Sequence, residues 1–127
     1  MPNDDEAEML VGETRPEAQA HALLARGAGA VVVTMGGAGL IYGNAEGLWR
    51  ARHFSVPVVD QTGAGDAFCA GFISGLVRGD DLHGCVRYGS ALGASCVRSI
   101  GCYQGVFHAE EAAQFLAQNS LDVRPLG

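Results

Sequence analysis

The run Ala30-Val31-Val32-Val33-Thr34 has no polar alternation and is almost wholly β-branched. A strand of that composition is stable only with both faces covered, so it commits the chain to a sheet with material packed on either side. The flanking sequence fits such layering. Residues 3–12, NDDEAEMLVG, predict a short helix, with Asn3 as N-cap, Glu6 at the N3 position of a capping box and Gly12 as the stop. Residues 14–29, TRPEAQAHALLARGAG, predict a second helix, with Pro16 in its first turn and Gly27 just past its last. Ala18, Ala20, Ala22, Leu23 and Leu24 give it a small-residue apolar face.

After the strand, MGGAG turns the chain, and LIYG and GLWRARHF predict a hairpin joined through NAEG, with Trp49 and Phe54 as packing residues. Pro57 makes SVPVVD an edge or an extended lead-in rather than a central strand. A helix from Asp66 to about Arg78 follows. Its Ala67, Phe68, Ala70, Phe72, Ile73, Leu76 and Val77 leave little polar face, which predicts deep burial. A second helix, Leu82–Val97, is rich in Gly, Ala and Ser and predicts a close approach to the first. IGCYQGV reads as a loop, AEEAAQFLAQ as an amphipathic helix and NSLDVRPLG as a tail. Helices alternating with buried strands give an α/β layered fold with the strand at Ala30–Thr34 central. No repeat or linker divides the chain, so residues 1–127 read as a single domain.

Composition excludes some partners. Apolar residues make up 48% and charged residues 17%, with a net charge of −6 and no Lys/Arg cluster. That balance argues against nucleic acid and against an anionic membrane. No apolar run approaches the ~20 residues of a membrane span. The acidic start, MPNDDEAEML, is unlike a leader, and a cytoplasmic location is the expectation. Cys69, Cys85, Cys96 and Cys102 form no C-x-x-C pair and read as reduced, buried thiols. His21, His53, His83 and His108 are scattered and suggest no metal constellation, and Arg98 reads as a solvated side chain.

The stretch DQTGAGDAFCAGF, residues 60–72, carries the chemistry. A glycine turn running into a helix presents backbone N–H groups and the positive end of a helix dipole, a site for an anion. Neither G-x-x-x-x-G-K-[ST] nor G-x-G-x-x-G is present, so neither a P-loop nor a dinucleotide fingerprint is supported. Asp66 has two readings here. It is an N-cap, or it is a general base set beside a bound phosphoryl group, and spacing alone leaves both open.

This stretch resembles the C-terminal signature of the ribokinase-type (PfkB) carbohydrate kinases, D-x-T-G-A-G-D followed by A/T-F-x-A/S-G. Three further segments match in the family's order. NDDEAEMLVG resembles its N-x-x-E segment, VVVTMGGAGLIY its V-T-x-G-x-x-G region, and GSALGASCVRSIGCYQGV its adenine-side helix and loop. The resemblance implies the C-terminal part of a three-layer α/β/α ribokinase-like sandwich with a doubly wound sheet. It implies ATP-dependent phosphoryl transfer to a hydroxyl of a sugar or sugar-like substrate, with ATP, Mg²⁺ and in many relatives K⁺. Asp66 is then the general base, and the amides of Gly63, Ala64, Gly65 and Asp66 form an anion hole. Thr34, Gly36 and Gly39 border the nucleotide, Ser90 and the segment through Gly101 wall the adenine, and Asn3 and Glu6 stand near Mg²⁺, acting indirectly. Asp60 and the Thr62 carbonyl match one side of a monovalent-cation site, which the Ser99–Cys102 loop completes.

Complete members of the family are much longer, and their first half holds most of the sugar contacts. The chain therefore reads as the nucleotide-binding and catalytic-base half. It is expected to assemble with itself or with a first half. The alternative is a catalytically silent nucleotide-binding or structural fragment.

Overall fold

The computed structural model describes residues 1–101 and 104–126. Cys102, with the end of the loop it closes, lies outside the described residues. The chain forms two compact units, residues 1–53 with 122–127, and residues 54–121.

The first unit is a sheet with two helices. Helix α1, Asp4–Val11, is capped as its sequence requires: Asn3 Oδ1 accepts from the Glu6 N–H at 2.8 Å, and Glu6 Oε2 accepts from the Asn3 N–H at 3.0 Å. Gly12, left-handed at φ 77°, ends it. Helix α2, Pro16–Ala25, starts on proline at its first position. Strands β1 (Ala30–Thr34), β2 (Leu40–Asn44) and β3 (Gly47–Ala51) make an antiparallel meander, and β4 (Val123–Leu126) pairs antiparallel with β3. Val31, Val33, Ile41 and Leu48 form the core with Ala7 of α1 and Ala20 of α2. On the other face Val32 and Tyr42 are also buried, and Tyr42 stacks on Trp49 with centroids 5.8 Å apart. β1 is thus covered on both faces, as its composition demands.

Two expectations for this unit are corrected. β1 is not central: the sheet order is β1-β2-β3-β4, and its outer side carries only an isolated parallel bridge from Thr34 to Asn3. The hairpin that follows β1 folds straight back on one side of it, and within the described residues no strand takes the other side. The expected tail is instead β4, placed opposite the open edge of β3, with Leu126 packed on the core. Strand pairing at that sequence distance leaves no local signal.

The second unit is helical. After an extended lead-in through Pro57 come α3 (Ala64–Arg78), α4 (Leu82–Cys96) and α5 (Ala109–Gln118). Helices α3 and α4 meet through glycine. A Cβ on Gly71 would lie 2.8 Å from Gly89 Cα, and one on Gly89 would lie 2.8 Å from the Phe68 carbonyl oxygen. The close approach expected from the small residues is therefore real. The expected deep burial of α3 is not: Phe68, Gly71, Phe72 and Gly75 are buried, but Ile73, Leu76 and Val77 are exposed. Among the described residues, only one side of α3 has a neighbour in this unit. Phe54, expected in the hairpin region, belongs here, edge-on to Phe115 at 4.9 Å. Arg98 is not merely solvated. Its Nη2 donates to the Gly105 carbonyl at 3.3 Å, and its guanidinium lies 4.5 Å from the Phe107 ring centroid.

No helix among the described residues is long and apolar enough to cross a membrane.

Candidate functional site

In the sheet unit the residues singled out by sequence gather at the C-terminal end of β1. The Thr34 N–H donates to the Pro2 carbonyl at 3.1 Å, and Asn3 bridges Thr34. The capping box of α1 therefore sits beside the end of β1. The box engages one oxygen from each partner, Asn3 Oδ1 and Glu6 Oε2. The second Glu6 oxygen is a hard donor of the kind Mg²⁺ takes.

Past Thr34 a 3-10 turn, Gly36–Ala38, reverses the chain, with the Met35 N–H donating to the Gly39 carbonyl at 2.8 Å. Gly39 is required there: its φ is +97°, and a Cβ would lie 2.2 Å from the Ala51 carbonyl oxygen. Two side chains hold this turn that the sequence did not mark. His53 Nε2 lies within hydrogen-bond distance of the Gly36 carbonyl oxygen, at 2.5 Å, and Arg50 Nη2 donates to the Ala38 carbonyl at 3.4 Å.

Behind α1, the buried Gln19 donates through Nε2 to the carbonyls of Asp4 at 3.0 Å and Glu13 at 2.8 Å. It ties the first turn of α1 to α2, and its Oε1 has no partner among the described residues.

The helical unit holds the glycine turn. Helix α3 starts two residues before Asp66, on Gly63, whose φ of 80° only glycine adopts freely. Gly63 is the N-cap, and no side chain among the described residues caps the helix. Asp66 stands at the third helical position, so the N-cap reading of Asp66 does not hold. Its carboxylate is exposed. The Ala64 N–H donates to the Gln61 carbonyl at 3.2 Å and the Ala67 N–H to the Gly63 carbonyl at 2.9 Å. Between them the first-turn amides of Gly65 and Asp66 lie at the positive end of a 15-residue helix.

Just before the turn, Asp60 clasps two segments. Its Oδ1 accepts from the Thr62 N–H at 2.9 Å and its Oδ2 from the Gly101 N–H at 3.2 Å. Hydrogen bonds from Thr62 and then Gly101 hold the carboxyl below the usual carboxylate range. The buried Cys96 thiol closes the same clasp from behind, donating to the Thr62 carbonyl at 3.4 Å. Nothing local in the sequence links Cys96 to Thr62, 34 positions away. Ser90 does not join the clasp. It is buried in α4, with an Oγ that has no partner among the described residues.

The structure thus joins Asn3 with Glu6 and Thr34 in one unit, and Asp60 with Thr62 and Gly101 in the other.

Known proteins resemble this chain in sequence and in fold. The family model for pfkB family carbohydrate kinases matches residues 1–109. The chain is 41% identical over 100 residues to an ATP-dependent 6-phosphofructokinase of Thermoanaerobacterium thermosaccharolyticum, covering 79% of this chain and 31% of that protein. A candidate ribokinase II of Escherichia coli, solved in complex with ATP and Mg²⁺, superposes with a TM-score of 0.85 at 30% identity, covering 94% of this chain and 39% of that one. A double-mutant fructokinase of Vibrio cholerae O395, solved with fructose, ADP and potassium ion, superposes with a TM-score of 0.78 at 25% identity, covering 90% and 39%. The α/β fold is therefore ribokinase-like, and the chain spans well under half the length of these relatives. On these grounds the chain belongs to the pfkB family of carbohydrate kinases.

Proposed function

We propose that this chain supplies the nucleotide side and the general base of an ATP-dependent kinase acting on a hydroxyl of a sugar or sugar-like substrate. The observation that carries the reading is the start of α3: a helix N-terminus with no side-chain cap and an exposed carboxylate in its first turn. An ordinary helix start would be closed by a Ser, Thr, Asn or Asp side chain. A glycine there leaves the amides free to face an anion.

In this reading the amides from Gly63 to Asp66 take the charge that builds on the transferring phosphoryl group. Gly65 and Asp66 contribute most, since the Ala64 N–H is already turned to Gln61. Asp66 accepts the proton of the attacking hydroxyl, a role typically worth ~10²–10⁴ in rate. Thr34, Gly36 and Gly39 border the nucleotide phosphates and ribose, on a turn whose carbonyls His53 and Arg50 hold. Ser90 and Gly101 line the adenine side; the Ser90 hydroxyl, buried without a partner among the described residues, has hydrogen-bonding capacity to spare.

Asn3 and Glu6 would hold Mg²⁺ indirectly, and Asp60 with the Thr62 carbonyl would hold a monovalent cation, as the potassium in the fructokinase relative suggests. When bound, these ions neutralise phosphate charge and stiffen the loops around it.

The solvent exposure of Asp66 favours a second reading for the chain by itself. A base open to water is a poor site for transfer to a sugar, and the chain alone is then a nucleotide-binding body that turns over only beside a sugar-binding part.

Asp66→Asn is the test. In the assembled kinase, turnover is expected to fall ~10²–10⁴-fold, about 3–5 kcal/mol of barrier, with ATP affinity and melting temperature nearly unchanged. Steady-state kinetics beside calorimetry and a thermal melt decide it, and turnover within a few-fold of wild type would remove Asp66 as the base.

A further inference from the structure

The helical unit has a cleft at the end of α3 away from the glycine turn. Arg78 is the last residue of α3, and at about 1.5 Å per residue it lies ~18 Å along the helix from Asp66. The cleft beside it, about 490 Å³, runs between the end of α3, the first turns of α4 and the second half of α5. A volume of that size suits a small molecule.

The chemistry of the lining is sorted. Arg78 and Arg87 are its cations and Asp80 is the only carboxylate among the described lining residues. Acidic residues outnumber basic ones in the chain by 14 to 8, so the cleft is a local reversal of sign. The two guanidiniums are not equivalent. Arg78 is committed within the protein: its Nη2 donates to Asp80 Oδ2 at 2.7 Å, and its Cζ lies 4.0 Å from the Tyr88 ring centroid. Arg87 is tethered by one donation, from Nη2 to the Leu116 carbonyl, and has no carboxylate partner among the described residues. A tethered guanidinium keeps N–H groups to spare, in the fork that grips a carboxylate, and little freedom is lost when it binds.

The rest of the lining selects the body of the ligand. The Tyr88 ring contributes from α4, and α5 contributes Ala113 and Ala117, whose small side chains leave room between the helices. With Asp80 offsetting Arg78, one net positive charge remains, which matches a carboxylate better than a doubly charged phosphate ester.

We propose that this cleft binds a small carboxylic acid with a flat apolar body, its carboxylate on Arg87 and its body between Tyr88 and the Ala113–Ala117 side of α5. The site is separate from the glycine turn and does not depend on the role given to Asp66.

Benzoate is the probe, with benzamide as its neutral isostere and acetate as its head alone. Each is titrated into the chain and followed by backbone and arginine Nε magnetic resonance. Benzoate is expected to bind saturably with a Kd of about 1 mM, shifting Arg87, Tyr88 and residues 113–117, and the other two at least ~10-fold more weakly, since one lacks the charge and the other the apolar contact. Arg87→Gln removes the grip, and Ala113→Leu fills the cleft from an exposed position on α5; each should weaken benzoate ~10-fold or more. Arg124→Gln in the sheet unit, at a side chain 77% exposed, should leave its affinity unchanged. Circular dichroism checks that each variant is folded. The proposal is overturned if benzoate does not saturate, if benzamide binds as well as benzoate, if either cleft variant binds like the wild type, or if the shifts gather at Gly65 and Asp66 instead.

Discussion

The sheet unit and the helical unit both place a glycine-bearing turn among their candidate residues, but they secure it by different means. In the sheet unit the turn after β1 is held by polar contacts to backbone carbonyls: His53 on Gly36, Arg50 on Ala38, and the Thr34 N–H on Pro2. In the helical unit the turn before α3 is held by packing. Gly71 and Gly89 let α3 and α4 approach until backbone meets backbone, while the Asp60–Cys96 clasp pins the residues just ahead of the turn. The contrast teaches where each unit is vulnerable. Hydrogen-bonded turns lose stability one contact at a time, each worth about 1 kcal/mol. A glycine-tight helix pair tolerates no added atom at all.

The largest effect should come from adding that atom. Gly89→Ala would ordinarily stabilise a helix by up to ~1 kcal/mol. Here the new methyl would lie 2.8 Å from the Phe68 carbonyl oxygen and 3.1 Å from its ring, so the sign should reverse to about 2–3 kcal/mol of destabilisation. Chemical denaturation measures it, and a stabilised variant would break the contrast between the units.

A smaller effect belongs to the sheet unit. Asn3→Ala removes the cap that accepts from Glu6 and should cost about 1 kcal/mol. If a thermal melt shows a loss as large as that of Gly89→Ala, Asn3 is doing more than capping α1.

The smallest effect is local and depends on pH. The Asp60 carboxyl is held below its ordinary 3.8 by hydrogen bonds from the backbone and side chain of Thr62 and then from the Gly101 amide. A lowered folded-state value means that its contribution is fully present above 3.8 and is lost as pH falls through the lower, folded value. The Gly101 amide resonance should therefore titrate with a midpoint below 3.8. A midpoint at or above 3.8 would show that the clasp does not form in solution.

Much of this molecule was legible in local patterns. The cap at Asn3, proline at the start of α2, the hairpin around NAEG and the last helix at 109–118 all stand where residue spacing placed them. Each depends on contacts a few residues apart, and such contacts leave a periodic or positional mark. The family was legible for a related reason: a glycine turn, a carboxylate at a fixed offset and an apolar helix are close neighbours in the chain.

What tertiary structure decided lies farther apart. The pairing of β4 with β3, the edge position of β1, the bare side of α3, the Gln19 tie to Asp4 and the clasp from Asp60 to Gly101 join residues from 15 to more than 70 positions apart. No short-range preference distinguishes a tail from an edge strand, or a helix buried on one side from a helix buried on both. Which neighbour covers an apolar face depends on the rest of the packing, and that is why sequence alone called for a glycine turn and a carboxylate while only the folded chain showed Gly63, not Asp66, to be the cap.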